Sequence, residues 1–392
     1  MMTGTFPLEQ FGRLDTPFYY YDLDLLRRTL QAIACNAPEP QYHVHYALKA
    51  CAAKEVLAVV AGAGLGADCV SGGEVQAALE AGIPPERIVF AGVAKADWEI
   101  RLALKAGIFC FNVESQAELE VISHLARELG TTANVCLRIN PEIDAHTHKM
   151  ITTGLAENKF GIRMEDMLTA VADCHALPAV RFIGLHFHIG SQITDMQPFR
   201  NLCIRIATLV EQVERTGTPV LHINVGGGLG VNYEHPNHIS IPDFEAYFKV
   251  FRTLLPLRQD QTLHFELGRS VVAQCGSLIT RVLYVKQGKE KRFAIVDAGM
   301  TDLIRPALYN AFHRIENLTG NGSVDETYDV VGPVCESSDV FVRNYTMART
   351  HRGDLLAIRS AGAYGEIMAS QYNLRRLPGH VTSDQLSASH SR

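Results

Sequence analysis

The chain has 392 residues, 47% apolar and 20% charged, enough to bury a large core and to divide it between two domains. A formal net charge of -6 offers no basic surface for nucleic acid, no apolar run approaches bilayer length, and no basic-then-apolar leader opens the chain; small-molecule partners in the cytoplasm are expected, with no nucleic acid and no membrane. Nine cysteines, scattered singly with no Cys-x-x-Cys pair, suit a reducing compartment.

In chain order, Phe18-Tyr19-Tyr20-Tyr21 reads as an aromatic strand, and Asp24 as the cap of a helix over Leu25 to Ala34. An alternation then sets in. Strands are predicted over Gln41 to Leu48, Gly66 to Val70, Arg87 to Ala91, Ile108 to Val113, Asn134 to Ile139, Val180 to His188, Pro219 to Val225 and Thr262 to Glu266. Helical periodicity fills the gaps, over Ala53 to Ala61, Gly73 to Ala81, Asp97 to Ala106, Gln116 to Leu129, Glu165 to His175, Phe199 to Arg215 and Phe244 to Leu254. Eight short apolar strands separated by helices predict an α/β fold, a (β/α)8 TIM-type barrel over residues 25–270, with an open doubly wound sheet as the alternative. The alternation stops after Arg269. Ser277 to Val285, Arg292 to Val296, Thr327 to Val331 and Asp354 to Ile358 read as strands of a C-terminal β-sandwich or β-barrel domain over 271–378. Residues 1–24 are assigned to it as well, because a strand ahead of a complete eight-fold repeat has no place in the barrel. The polar, Ser-rich residues 379–392 are expected to be disordered.

The barrel reading gathers chemistry at the C-terminal strand ends. Lys49 stands there after the run Tyr46-Ala47-Leu48, and alone it would read as a solvated lysine. Asp68, His188, the run Gly226-Gly227-Gly228 and Glu266-Leu267-Gly268-Arg269 fall at the ends of other strands. Glycines after the seventh barrel strand let backbone N–H groups approach an anion, and the absence of a following Lys-Ser/Thr excludes a P-loop. The cluster Gly62-x-Gly64-x-Gly66 precedes its strand, so it reads as a helix end and turn rather than a dinucleotide fingerprint. A carboxylate such as Glu266 can pair with a protonated ring nitrogen, and Arg269 beside it can grip a carboxylate or phosphate. His186 and His188, at i and i+2 on a strand, could instead hold zinc with His146 or His148, which makes a barrel hydrolase a competing reading. Taken together, the strand-end lysine, glycine run, Glu-x-Gly-Arg and histidine describe a pocket for pyridoxal 5'-phosphate, with Lys49 as the Schiff-base amine, one imidazole on the ring face and Ser191 on the phosphate, and with no metal.

Ten stretches in family order resemble the fold type III pyridoxal-phosphate-dependent amino-acid decarboxylases. They are Tyr46 to Ala50, Gly66 to Glu74, Arg138-Ile139-Asn140-Pro141, Thr153-Gly154-Leu155 with Asn158-Lys159-Phe160-Gly161, His188 to Gln192, Gly226 to Gly228, Glu266-x-Gly268-Arg269, Arg305-Pro306-Ala307-Leu308-Tyr309, Gly332 to Ser337 and Ala361-Gly362-Ala363-Tyr364. The chain looks most like the branch that converts meso-2,6-diaminopimelate to L-lysine and carbon dioxide; decarboxylases of carboxynorspermidine or of a basic amino acid are the alternative. The resemblance implies that Lys49 carries the cofactor, His188 stacks on it and Glu266 pairs with its ring nitrogen. It also implies that Asp68, Ser191, Gly227, Gly228, Gly268, Arg269 and Tyr364 complete the cofactor site. Arg269, Arg305, Tyr309, Glu336 and Tyr364 would hold the amino-acid substrate, and Cys335 would protonate the carbanion. Cys335 and Glu336 would come from the second subunit of a homodimer with shared active sites. Two departures stand out: Leu267 where the family has proline, and Glu366-Ile367-Met368 after the Ala-Gly-Ala-Tyr-Gly segment.

Overall fold

The computed structural model describes residues 6–37, 40–144, 159–320 and 324–388. After strand β1 (Phe18–Tyr21) come eight short strands: β2 (Tyr42–Ala47), β3 (Gly66–Cys69), β4 (Ile88–Phe90), β5 (Cys110–Val113), β6 (Ala133–Arg138), β7 (Val180–His186), β8 (His222–Asn224) and β9 (Thr262–Leu267). Each pairs in parallel with the next, and β2 closes on β9 with Tyr42 opposite Leu263 and Tyr46 opposite Leu267. The sheet is therefore a closed barrel, and the doubly wound alternative is excluded. Local chemistry sets the intervening helices. Ser71, Ser115 and Asp243 cap the helices Gly72–Glu80, Gln116–Glu128 and Phe244–Leu254 by accepting from the backbone N–H groups of Glu74, Glu118 and Ala246. Gly107, at φ +70°, ends the helix Asp97–Ala106 in the left-handed conformation. The first glycine cluster behaves as its position implies: Gly62 ends a helix, Gly64 turns at φ +79°, and Gly66 opens β3.

Histidines, rather than aliphatic side chains, line one end of the barrel. His45 Nδ1 donates to the carbonyl of Arg87 at 3.1 Å, which leaves His45 Nε2 to accept from His264 Nδ1 at 2.9 Å. His264 Nε2 in turn faces Thr262 Oγ1 at 2.9 Å and His222 Nδ1 at 3.3 Å. This chain is consistent only while the rings are neutral, since an added proton on His45 would point at the His264 N–H. Burial accordingly holds His45 and His222 down to about 4, and His264 well below its ordinary value. The folded pKa values lie below the unfolded one near 6.5, so the stability these groups contribute is complete above that pH and is lost as pH falls from about 6.5 towards 4. A series of melting temperatures from pH 7.5 to 4.5 should fall by the equivalent of a few kcal/mol in order of magnitude. His264→Asn should flatten that slope; a slope unchanged by the substitution would assign the acid sensitivity to other groups.

The second unit is one eight-stranded sheet in the order β12 (Ile315–Asn317), β15 (Leu355–Ile358), β10 (Gly276–Gln287), β11 (Arg292–Val296), β13 (Asp325–Val331), β14 (Val340–Ala348), with β1 and β16 (Gly379–Thr382) branching from β10. As expected, the tyrosine-rich strand joins it, Phe18 lying antiparallel to Ile279. Three readings need correction. The helix after β1 runs from Leu23 to Asn36, and its N-terminal hydrogen bond goes to Asp22 Oδ1 from the Leu25 N–H, while Asp24 pairs with Arg27. Residues 379–388 are ordered: β16 runs parallel to β1, a helix follows over Ser383–Ala388, and Arg27 meets Asp384 at 2.6 Å. Backbone pairing, invisible in a polar composition, fixes that segment. Finally, the chain divides into residues to Thr29, Val231–Pro242 and Arg269 onward in the β unit, and Leu30–Gly230 with Asp243–Gly268 in the barrel unit, so a short segment following β8 belongs with the sheet. Hydrogen bonds hold it there: Gln274 Nε2 donates to the carbonyl of Asn232 at 2.8 Å, and Asn237 Nδ2 to Glu316 at 3.0 Å.

Candidate active site

Within the barrel unit, the expected residues occupy strand ends. Lys49 lies in a single turn, Leu48–Ala50, directly after β2, and its Nζ donates to Asp68 Oδ2 at 2.9 Å from the adjacent β3. Asp68 is fully buried, and its Oδ1 has no hydrogen-bond partner. Burial, and then the charge of Glu266, raise its pKa, with Lys49 opposing. A buried, half-satisfied carboxyl is an arrangement that a bound polar group would complete.

Glu266, near the end of β9, is held by three donors from neighbouring strands. Asn112 and Asn224 donate to Oε1 at 3.0 and 2.7 Å, and His186 Nε2 to Oε2 at 3.0 Å. Burial alone would raise its pKa, but His186, then Lys49 and His188, outweigh that and keep it ionised well below the usual carboxylate range. Each carboxylate oxygen accepts about two hydrogen bonds, so Oε2 retains room for one more donor. His186 is thereby committed to Glu266, and β7 ends with it, so His188 lies past the strand. His146 and His148 of the zinc reading lie outside the described residues, as do Thr153-Gly154-Leu155 and Asn158; among the described residues no group of three His, Cys, Asp or Glu is arranged to hold a metal.

The glycine run after β8 is shaped by what its backbone touches. Gly226 and Gly228 have φ of +68° and +108°, and a Cβ on Gly227 would collide with the carbonyl oxygen of Glu266. Two of its three N–H groups are already used, Gly226 donating to Asn224 Oδ1 at 2.9 Å and Gly227 to His188 Nδ1 at 3.3 Å. Among the described residues the Gly228 N–H has no partner. Accepting at Nδ1 fixes the His188 tautomer, and burial, then the charges of Arg138 and Lys49, keep the ring neutral. The next loop runs alongside: Ile193 N donates to the carbonyl of Gly228 at 2.9 Å, placing Ser191 two residues before that contact, between Gly190 and Gln192, which both have positive φ. Leu267, the departure from proline, is the last residue of β9 and pairs with Tyr46, so the barrel strand absorbs it.

The β unit, which the chain re-enters at Arg269 immediately after Gly268, holds a second cluster. Arg269 and Arg305 are each only 5% exposed. Arg269 Nη1 donates to the Tyr233 hydroxyl at 2.6 Å, and its guanidinium lies 4.9 Å from the ring centre of Tyr364, which adopts φ +56°. Arg305 starts the short helix Arg305–Tyr309, whose last residue is Tyr309. Cys335 and Glu336 sit on the exposed loop between β13 and β14, where Asn373 Oδ1 accepts from the Cys335 N–H at 3.1 Å and the Tyr372 hydroxyl donates to Glu336 at 2.6 Å. Glu366, the second departure, has a structural explanation: Tyr21 donates to it at 2.8 Å and His380 Nδ1 lies 2.7 Å away.

Residues 23–273 match the model of the pyridoxal-dependent decarboxylases, pyridoxal binding domain. Over 386 residues, 98% of this chain and 100% of its relative, the chain is 60% identical to diaminopimelate decarboxylase of Bacteroides thetaiotaomicron. The chain belongs to the diaminopimelate decarboxylase family of pyridoxal-dependent enzymes. Its fold is similar to that of diaminopimelate decarboxylase from Helicobacter pylori complexed with L-lysine, at a TM-score of 0.90 and 42% identity, covering 96% of this chain and 93% of that one. The M. jannaschii enzyme in co-complex with L-lysine gives 0.89 and 34%, covering 96% and 89%.

The residues present fit the family's cofactor. A buried carboxylate, ionised and with accepting capacity left on Oε2, suits a protonated ring nitrogen, a neutral imidazole suits a ring face, and the unpartnered Gly228 N–H suits a phosphate oxygen. Sequence reading missed the residues that make Glu266 what it is. Asn112 carried a signal, being a polar side chain within the otherwise apolar barrel strand β5.

Proposed function

We propose that the chain decarboxylates meso-2,6-diaminopimelate to L-lysine and carbon dioxide, using Lys49 to bind pyridoxal phosphate covalently. The observation that supports this most is the ionised Glu266, held by Asn112, Asn224 and His186 in the same barrel mouth as the Lys49–Asp68 pair. Bound pyridoxal phosphate supplies an electron sink for the pair left on carbon when carbon dioxide departs. Glu266 Oε2 would hold a proton on the ring nitrogen, and His188, a neutral imidazole, would face the ring. Asp68 holds the Lys49 amine, while Ser191, Gly227, Gly228, Gly268, Arg269 and Tyr364 would take the phosphate end. Arg269, Arg305, Tyr309, Tyr364 and Glu336 hold the far end of the substrate, whose amine and carboxylate require both signs of charge. Cys335 Sγ would be the acid that supplies a proton to the carbon left without its carboxylate. Equimolar L-lysine and carbon dioxide from meso-diaminopimelate, with none from ornithine or arginine, is the expected assay result; release from ornithine instead would move the substrate to a related decarboxylase.

The proposal includes a homodimer with shared sites, in the cytoplasm. All nine cysteines are free thiols, which supports a reducing compartment, and among the described residues no helix is long and apolar enough to cross a membrane. The exposure of Cys335 and Glu336 on one loop supports delivery to a partner's site. Lys49→Ala and Cys335→Ala chains should each be inactive alone, and mixing them should restore one pocket in each mixed dimer. Random exchange makes about half the dimers mixed, so recovered activity should approach about a quarter of wild type. Subunit exchange without any recovery would place the whole site within one chain.

A further inference from the structure

We propose that Tyr233 is a positioning residue that aligns Arg269 and Arg305 to act together on the carboxylate that the substrate retains. The inference rests on the proposed decarboxylation. Two buried guanidiniums repel one another, and Arg305 has no carboxylate partner among the described residues; its Nε is buried with no hydrogen bond. Burial, with the charge of Arg269, lowers the pKa of Arg305, opposed by the phenols of Tyr233, Tyr364 and Tyr309. Tyr233 serves both cations with different parts of one side chain. Its hydroxyl accepts from Arg269 Nη1 at 2.6 Å, and its ring lies 5.4 Å from the Arg305 guanidinium carbon. The ring is itself braced edge-on by His313, at 5.0 Å between centres, and His313 Nδ1 donates to the carbonyl of Arg359 at 2.9 Å. Backbone anchoring completes the support, because Gln274 holds the neighbouring carbonyl of Asn232. A phenol so fixed sets the separation and direction of two forks that would otherwise spread apart.

The chemistry of the product supplies a selective readout. Decarboxylation removes one of two carboxylates, so L-lysine keeps the one these arginines would hold, whereas pentane-1,5-diamine has both amines and no carboxylate. Wild type should be inhibited more strongly by L-lysine than by the diamine. Tyr233→Phe keeps the ring beside Arg305 and removes the hydroxyl from Arg269. It should raise KM for diaminopimelate roughly tenfold, shrink the preference for L-lysine by a similar factor, and leave kcat within about threefold. Tyr233→Leu, lacking the ring as well, should shrink the preference further. A lower melting temperature with KM and inhibitor preference unchanged in Tyr233→Phe would reduce Tyr233 to a packing role and overturn the proposal, whether or not the leucine variant folds. Arg305→Lys should also shrink the preference; an unchanged preference there overturns the proposal together with the substrate grip on which it rests.

Discussion

Lys49→Ala should abolish turnover and, with it, any visible absorbance that borohydride can fix to the protein. The expectation follows from the count of available amines. Lys95, which follows β4, is the rival that sequence spacing did not reveal, and its ammonium is fully engaged: Nζ donates to the carbonyls of Gly92 and Asn112 at 2.8 and 2.9 Å and to Glu118 at 2.5 Å. A three-donor group with three acceptors cannot act as a nucleophile without breaking them. Removing Lys49 also strips Asp68 of its Oδ2 partner, and because burial already raises that carboxyl, it should become neutral rather than unfold the barrel. Pyridoxal phosphate added to the variant should therefore bind and be lost on dialysis. Cofactor that survives borohydride treatment and dialysis in the variant would put the covalent bond on another lysine.

Glu266→Gln should lower kcat roughly a few hundred- to several thousandfold while the cofactor stays bound, because breaking a buried charge pair typically costs about 3–5 kcal/mol. The substitution is a clean deletion of charge. The amide oxygen can still accept from Asn112 and Asn224, which turns its NH2 towards His186 Nε2. His186 can accept there by moving its proton to Nδ1, an atom that has no partner at present. Melting temperature should change little, and the pH at which the bound cofactor's spectrum shifts should move, since nothing then holds the ring nitrogen protonated. Unaltered kcat with a normal spectrum would remove Glu266 from the reaction.

Most of the barrel site was legible because its signals are local. Lysine, aspartate and glutamate at the ends of apolar strands, and glycines where a Cβ would strike a backbone, are unusual enough to be noticed one strand at a time. What escaped depends on pairing across long separations. The role of Asn112 becomes visible only once β5 and β9 share a barrel, and that of Tyr233 only once the segment after β8 is known to sit with Arg269. Glu366 looked like a departure in the pocket, yet its partners Tyr21 and His380 lie at opposite ends of the chain. The tail failed for a different reason: its hold on β1 comes from backbone hydrogen bonds, which no composition records.

The pairing of β1 also constrains how the chain is made. Phe18 and Tyr20 leave the ribosome ahead of the strands they join, and with Phe11 they pack against Ile279, Leu355 and Ala357. Their first partner strand, β10, is synthesised on the order of 250 residues later, which at about 5–20 residues per second is roughly 10–50 s. During that interval an aromatic strand with an unpaired edge is exposed, a binding target for chaperones and a site for association between nascent chains. The last barrel strand, ending at Leu267, emerges before β10 begins at Gly276, so every barrel strand is available to pair before β1 meets its partner.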